Sequence, residues 1–487
     1  MPTVEHALKI EIDRHQALPV YMQICERFKS AIAAGHLKPG DRVPALRGLA
    51  TQLNTARGTV EMAYDILVDE GYLQMRGAAG TFVSSSLPAS ATKPAARKGR
   101  ERVDVPRAKQ SAADLGHDAK PLRPGLPALD AFPRKVWSRI VAHRARIVDI
   151  ASLTYPDPAG YGPLRERIAT YLGLSRGVEC APEQVFVTSG YRASLELILR
   201  SLAKADDSAW FEDPGYFLAR SFLTEAGLKL VPVPIDRDGL DAETGTALDP
   251  HARFAIVTPA HQSPLGVTLS LARRMKLLDW AERAGSWIVE DDYDSEFRYA
   301  GRPLPALKSL DVNDRVIYCG TFSKVLFPGL RLSYVVAPER AIARFEQLTR
   351  SMNAGPPHLL QAAVADFMAQ GHFARHLKRM RALYAERREL FAQALEKAFG
   401  SRARIELPSG GMHLLMLFDA DKQGPVDDLA IAARARDSGL AVSGLSSWYL
   451  GARTKRTLRG MVLGFANVAD AAEAARLARM LRRAYDG

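Results

Sequence analysis

Apolar positions recur along the chain with two periods. From Pro19 to Ala34, Val20, Ile24, Phe28, Ala31 and Ile32 fall on one helical face. After the turn "LKPGDRVP", Leu46, Leu49, Ala50 and Leu53 stripe a second helix, and after "NT" Val60, Ala63, Tyr64 and Leu67 stripe a third. "QMRGAAGTFV" then reads as a strand, a Gly-rich turn at Arg76–Gly80 and a second strand. Farther on, β-branched runs such as "QVFVTSG", "SAWFEDPGY", "FAIVTP", "SWIVEDDY" and "RVIYCGTFSK" alternate with helical stretches such as "SLARRMKLLDWAERAG". That alternation predicts a mostly parallel sheet covered by helices. Beyond about residue 350 long Arg/Ala/Leu helices dominate, with strands near 412–418 and 459–466, predicting a smaller α+β subdomain.

Residues 84–120 show neither period and are rich in Ser, Ala, Pro, Lys and Arg, with eight basic residues against four acidic. They read as a flexible basic linker. The expected organisation is therefore a small unit at 1–83, the linker, and a large unit at 121–487 whose smaller subdomain spans about 350–487.

Composition narrows the class. A chain of 487 residues exceeds what one core usually supports, and 47% apolar with 25% charged residues is a soluble, globular balance. The three cysteines, Cys25, Cys180 and Cys319, are scattered, which suggests neither a disulfide framework nor a metal site and fits a reducing cytoplasm. Charges interrupt the first thirty residues and no run of about 18 apolar residues occurs, so neither a signal peptide nor a membrane span is expected. A net charge of +12 favours polyanions, but suits small anions or solubility equally.

Two short helices about a tight turn, followed by a hairpin, have the order of a helix-turn-helix with a wing. With Val60 and Tyr64 packed inward, Arg57, Gly58 and Glu61 face outward at the start of the third helix, where a recognition helix meets base edges. Arg57 can donate two hydrogen bonds to a guanine, and Arg47 can reach a phosphate or a base. Charge does not argue for this, because residues 1–83 hold nine basic and nine acidic residues, and a plain three-helix bundle shows the same stripes. The segment "LKPGDRVPALRGLATQLNTARGTVEMAYDILVDEGYLQMRGAAGTFV" does, since over its whole length it resembles the winged helix of GntR-family repressors. The resemblance implies double-stranded DNA as partner, contacted by Arg47, Thr55, Arg57, Gly58 and Thr59 with the wing at Arg76 and Gly77. Gly58 stands where a larger polar residue is common in that family.

The large unit carries what a site for a phosphorylated aldehyde requires: an amine for a Schiff base, a carboxylate opposite a pyridinium nitrogen, phosphate donors and an aromatic face. Lys324 follows the strand "RVIYC", at the sheet edge where α/β proteins place ligands. Arg331 lies seven residues on, Thr321 offers a hydroxyl, and "VTSGYRASLELI" leads through Ser189 so that the amides of Gly190, Tyr191 and Arg192 open a helix toward an anion. "WIVEDDYDSEF" ends a strand with Asp291 and Tyr293, and "FEDPGYF" offers Tyr216 as a stacking face. Each motif alone suits an ordinary surface or turn; together they match one ligand.

In family order, "GYGPLRERIATYL", "TSGYRASLEL", "EDPGY", "TPAHQSPLG", "EDDYDSEFRY", "GTFSKVLFPGLRLSY" and "GHFARHLKRMRALYAERRE" resemble the fold-type I aminotransferases that bind pyridoxal 5′-phosphate. A GntR-type winged helix fused to such a domain resembles the MocR-type regulators. The resemblance implies Lys324 as Schiff-base lysine, Asp291 as pyridinium partner, Tyr293 as ring-oxygen donor, Thr321, Ser323 and Arg331 at the phosphate, and Tyr216 against the ring. It also implies a homodimer, with each winged helix resting on its partner's body, and paired DNA half-sites.

Two departures qualify the transfer. "HQSPLG" replaces the usual Asn-Pro-Thr-Gly, which passes the ring-oxygen contact to His261 or Gln262 or removes it. "MVLGFA" puts Val462 where transaminases carry the arginine that clamps the substrate carboxylate. Losing that clamp removes about 1.5–3 kcal/mol of binding, so the expectation is a DNA-binding regulator that senses pyridoxal phosphate, as in vitamin B6 homeostasis, or a reactive amine or amino acid. At most weak aminotransferase activity is expected; the rival reading is a metabolic aminotransferase with an incidental N-terminal unit.

Overall fold

The computed structural model describes residues 12–14, 18–85, 120–301, 305–352, 355–419, 426–450 and 457–487. Apart from its ends, the linker expected at 84–120 lies outside the described residues. The chain divides into two compact units, Met1–Arg107 and Ala108–Gly487.

The first unit holds α1 (Val20–Ala33), α2 (Leu46–Gln52), α3 (Arg57–Asp69) and the antiparallel hairpin β1 (Leu73–Met75) and β2 (Thr81–Val83). The three stripes converge as their spacing requires: Ile24, Phe28, Ile32, Leu49, Val60, Tyr64 and Leu67 form one core with Leu73 and Val83 of the hairpin. Burying each of the larger side chains contributes about 1.5–3 kcal/mol. Tyr64 packs edge-on against Phe28 at 5.5 Å, and its hydroxyl donates to the Pro44 carbonyl at 2.9 Å, which pins α3 to the chain entering α2. The segment read as a turn does more than turn. Gly40 and Val43 donate to the carbonyls of Val83 and Thr81, and Arg42 bridges Phe82, so "GDRV" runs alongside the wing.

The second unit is built on an eight-stranded sheet in the order β3-β10-β9-β8-β7-β4-β5-β6. The strands are β3 (Val185–Thr188), β4 (Ser208–Asp213), β5 (Lys229–Asp236), β6 (Gly239–Leu240), β7 (Phe254–Val257), β8 (Trp287–Asp292), β9 (Val316–Thr321) and β10 (Ser333–Val336). Six run one way; β10, between β3 and β9, and the edge strand β6 run against them, so the sheet is mixed. The connection from β9 to β10 is too short for a crossover and folds back as the antiparallel partner. Alternate residues serve opposite faces. Phe186, Val289 and Ile317 pack with Leu195 and Phe345, whereas Val187 and Tyr318 pack with Leu164 and Tyr384. Covering on both faces is why these strands read as continuous apolar runs.

The smaller subdomain carries an antiparallel sheet, β11-β12-β14-β13, of β11 (Arg404–Glu406), β12 (His413–Leu417), β13 (Ser443–Gly444) and β14 (Gly460–Gly464). The helices His372–Phe399, Asp428–Asp437 and Ala471–Asp486 contribute Phe391, Leu395, Ile431 and Leu477 to its core. The segment after Lys120 joins this subdomain: Ala441 and Gly464 donate to the carbonyls of Pro121 and Leu122 at 2.8 and 2.9 Å. That docking delivers Gly125 to the edge of the large sheet.

Candidate functional site

In the first unit, Arg47, Arg57 and Gly58 are exposed on α2 and α3, and Thr55 and Thr59 are half-buried beside the turn between them. Neither Arg47 nor Arg57 gives its guanidinium to another described residue. A Cβ at Gly58 would meet nothing within 4 Å, so the face is open where the backbone begins α3. Arg76 is exposed on the wing with its guanidinium 5.0 Å above the Phe82 ring, and Gly77 begins the tip with φ of +55°.

In the second unit the expected cofactor residues lie at one edge of the large sheet, where β3, β9, β8, β7 and β4 end and β10 begins. Gly190 has φ of +102° and opens the helix Tyr191–Leu202. A Cβ there would lie 3.2 Å from the Arg331 guanidinium, so the absence of a side chain lets that cation reach the helix's free amides. Two positive groups therefore converge, an arrangement that suits a phosphate. Arg331 itself adopts a left-handed conformation, φ +51°, at the end of the Pro328–Leu330 turn. The register Ser333↔Thr321 and Ser333↔Thr188 brings three hydroxyls beside this seat. Ser333 donates to Thr321 Oγ1, which also accepts from the Ser323 amide and leaves the Thr321 proton free for an anion. Ser189 is half-buried in the β3 exit, and the Arg192 side chain turns away to Glu225 at 3.1 Å, leaving only its amide at the seat.

Asp291 is the penultimate residue of β8, beside Cys319 of β9. It is buried with no cation paired to it among the described residues, and burial pushes its carboxyl up to about 8, with Asp292 and Glu212 adding to the rise and Tyr191 and Lys324 opposing it. The Tyr191 hydroxyl beside it is buried without a hydrogen bond of good geometry. A carboxylate so placed lacks a positive partner, and a protonated pyridine nitrogen is one. Lys324, in the short helix Phe322–Val325, donates to the Gly125 carbonyl at 2.9 Å. A Cβ on Gly125 would sit 2.6 Å from that nitrogen. Burial depresses the lysine's affinity for its proton, Arg123 pushes the same way, and Asp294 and Asp291 oppose. The result is an amine closer to its neutral, nucleophilic form. Tyr216 is half-buried between Phe217 and Trp448 at ring distances of 5.6 and 6.2 Å. These features fit pyridoxal phosphate at each of its polar ends.

The two residues replacing the usual amide behave differently. Gln262 gives its side-chain nitrogen to Glu212 and to the carbonyls of Pro214 and Ser263, and its oxygen accepts from Leu265, so its amide is committed to the loop. His261 Nδ1 lies 3.0 Å from the Tyr293 hydroxyl and 3.1 Å from Asp294 Oδ1, while its Nε2 is buried without a partner. His413 stands beside this pair, donating Nε2–H to the Pro264 carbonyl at 2.8 Å; burial, helped by His261, drops its pKa to about 4, so it is neutral at pH 7. Asp294, His413, Gly125 and Gly411 were not read from the sequence. Gly411, where a Cβ would overlap the His261 ring, carried a signal in the pair "SGGMH". Val462 is fully buried in an apolar cluster with Phe217, Leu415, Leu417, Leu445 and Trp448. Arg459, three residues earlier, pairs with Asp428 at 3.6 Å.

Comparison with known proteins agrees with both units. Residues 20–83 match the family model of bacterial regulatory proteins, gntR family, and residues 146–471 that of aminotransferase class I and II. The chain is 39% identical to the probable rhizopine catabolism regulatory protein MocR of Rhizobium meliloti, over 94% of this chain and 92% of that protein. It is 32% identical to the HTH-type pyridoxine biosynthesis transcriptional regulator PdxR of Corynebacterium glutamicum, over 94% of each. Among solved structures it resembles the α-aminoadipate aminotransferase LysN of Thermus thermophilus, complexed with N-(5′-phosphopyridoxyl)-L-leucine, with a TM-score of 0.66, 27% identity, and coverage of 75% of this chain and 92% of that one.

Proposed function

Because the chain belongs to the MocR-type regulators of the gntR family, which join a helix-turn-helix to an aminotransferase class I and II domain, we propose that it is a transcriptional regulator whose DNA affinity responds to pyridoxal phosphate held at Lys324. The observation that carries this reading is the pairing of a buried Asp291, with no cation paired to it among the described residues, and the Arg331–Gly190 convergence with an apolar Val462. The cofactor's parts are provided for, and the substrate carboxylate's usual clamp is not.

When bound, pyridoxal phosphate supplies an electrophilic carbonyl and a protonated ring that withdraws electrons. Lys324 contributes the amine, Asp291 holds the proton on the ring nitrogen, and Tyr293, steadied by His261, donates to the ring oxygen. Arg331, Thr321, Ser323, Ser189 and the amides of Gly190, Tyr191 and Arg192 grip the phosphate, and Tyr216 covers the ring. Arg47, Thr55, Arg57, Gly58 and Thr59 meet one DNA half-site, with Arg76 and Gly77 on the wing. Ile147, Ile150, Leu153 and Tyr155 form an apolar stretch, with Ile150 84% and Tyr155 86% exposed, which supports a homodimer through the large unit. A dimer presents two winged helices to paired half-sites. Among the described residues no helix is long and apolar enough to cross a membrane, in keeping with a cytoplasmic regulator. The relationship to a regulator named for pyridoxine biosynthesis favours the cofactor itself, and vitamin B6 supply, as signal.

The test is spectroscopic. Purified protein mixed with pyridoxal phosphate should acquire a visible absorbance band that resists dialysis, and Lys324→Ala should lack it. An identical spectrum from the variant would remove Lys324 from the site.

A further inference from the structure

Tyr293 and Asp294 follow one another in the chain leaving β8, and their side chains meet at one nitrogen. His261 Nδ1 lies 3.1 Å from Asp294 Oδ1 and 3.0 Å from the Tyr293 hydroxyl. Asp294 and His261 are both buried, at 1% and 5% exposure. A ring nitrogen either donates or accepts, so the neighbour that settles its protonation also settles where the Tyr293 proton can go.

Asp294 settles it. Among the described residues its side chain has His261 as its hydrogen-bond partner; Oδ2 is buried with none, and the neighbouring His413 gives its Nε2–H to the Pro264 carbonyl at 2.8 Å. Asp294 acts as an anion on both Tyr293 and Lys324, raising the hold of each on its proton. A carboxylate only accepts, so the imidazole proton sits on Nδ1, facing it. The other ring nitrogen, Nε2, is buried with no acceptor to hold a proton there. With Nδ1 protonated, Tyr293 cannot donate to it, and its oxygen can only share that N–H as an acceptor. The hydroxyl itself stays protonated well above the ordinary range. Burial and then Asp294 disfavour its anion, Asp291 and Glu212 act the same way, and a hydrogen bond from Ser263 opposes them. The Tyr293 proton is therefore withheld from the imidazole.

We propose that Asp294 is a positioning residue for the cofactor: by keeping the His261 proton on Nδ1, it stops the imidazole from capturing the Tyr293 proton and reserves that proton for the cofactor's ring oxygen. The proposal rests on the reading of Tyr293 as the ring-oxygen donor and adds the group that sets its direction. Without an acceptor at position 294, the imidazole can carry its proton on Nε2 and accept from Tyr293 across the same 3.0 Å. The ring oxygen then loses its donor. A donor there favours the form of the cofactor whose ring oxygen carries more negative charge, the form in which the lysine nitrogen joined to it is unprotonated. Asp294 thereby tunes how readily that nitrogen takes a proton.

The experiment is a pH titration of the visible absorbance band of the full chain loaded with pyridoxal phosphate, for the parent, Asp294→Ala, Tyr293→Phe and the double variant. Asp294→Ala has two opposing effects. Loss of the carboxylate's charge lowers the midpoint, since Asp294 strengthens the hold of the lysine nitrogen on its proton, whereas loss of the ring-oxygen donor raises it. Only the first effect survives in Tyr293→Phe. The change caused by Asp294→Ala should therefore lie about one pH unit or more higher in the parent than in Tyr293→Phe, the size of one hydrogen bond to a charged oxygen. Asp294→Val, which likewise offers no acceptor, takes its place if the alanine variant does not fold. Equal changes in both backgrounds, with Tyr293→Phe by itself raising the midpoint, overturn the proposal and leave Tyr293 at the ring oxygen. A midpoint unmoved by Tyr293→Phe removes Tyr293 from the ring oxygen, and the proposal with it.

Discussion

Replacing Asp291 by Asn should stabilise the cofactor-free protein while weakening its hold on the cofactor. In the unfolded chain this carboxyl ionises near the ordinary 3.8, whereas burial in the fold pushes it up to about 8. Between those values the folded chain retains a proton that the unfolded chain has released, so stability falls as pH rises across the window, by up to about 1.4 kcal/mol per pH unit. Accumulated from pH 4 to pH 7 this reaches about 2–4 kcal/mol. Asparagine has the same shape and no charge to bury, so it escapes the penalty. For a unit of this size, about 1 kcal/mol moves the melting temperature by about 1–2 °C, which predicts a gain of about 2–8 °C at pH 7 and no less at pH 8. At pH 4 the difference should disappear. Glu212 and Glu290, each pushed up to about 7 by burial, tilt the same curve; Glu290 does so in both proteins, whereas Glu212, whose charge acts on Asp291, is relieved of that repulsion in the variant, which adds to its advantage. The assay is thermal unfolding of cofactor-free parent and Asp291→Asn at a series of pH values, with an absorbance titration of pyridoxal phosphate at each. The reasoning is refuted if the variant melts at or below the parent at pH 8, if its advantage does not grow with pH, or if it binds the cofactor as well as the parent.

Other expectations follow from single contacts. Gly190→Ala places a methyl 3.2 Å from the Arg331 guanidinium at φ +102°, so cofactor affinity should fall about tenfold or more by the same titration, with Arg331→Gln giving a comparable loss. Arg57→Ala should weaken binding to the upstream DNA of its own gene by about 1–3 kcal/mol if it reads a base, and unchanged anisotropy would remove it from the interface. Val462→Arg should not restore a carboxylate clamp. Its side chain would enter the cluster of Leu415, Trp448 and Phe217, and urea unfolding should show a loss of about 3 kcal/mol or more.

What the sequence disclosed depended on how local each cause is. The stripes of α1 to α3 and the runs of β7, β8 and β9 are set by residues within one element, and their burial follows from the helical period in the first case and from unbroken apolar runs in the second. The candidate site residues could be picked out for the same reason: Lys324, Tyr216 and Gly190 each sit just past a strand and Asp291 is the penultimate residue of β8, at the sheet edge where α/β folds put ligands. What escaped is long-range. The Gly125 carbonyl that receives Lys324 lies 199 residues away, brought there because Pro121 and Leu122 pair with the C-terminal subdomain, and no periodicity announces that docking. His413 and Gly411 reach His261 through the fold of β12 against the large sheet, and the two-residue strand β13 is too short to carry a pattern. Of His261 and Gln262, adjacent and both polar, only the hydrogen-bond partners tell which is committed to the loop.

The central claim, that the cofactor site governs DNA binding, is tested most directly by fluorescence anisotropy on the gene's own upstream DNA with and without pyridoxal phosphate, comparing the parent protein with Lys324→Ala. Coupling between two sites typically amounts to about 1–3 kcal/mol, so the parent's affinity should change about five- to 150-fold with the cofactor, while the variant's stays constant. An affinity indifferent to the cofactor in the parent, or a change equally large in Lys324→Ala, would contradict the account.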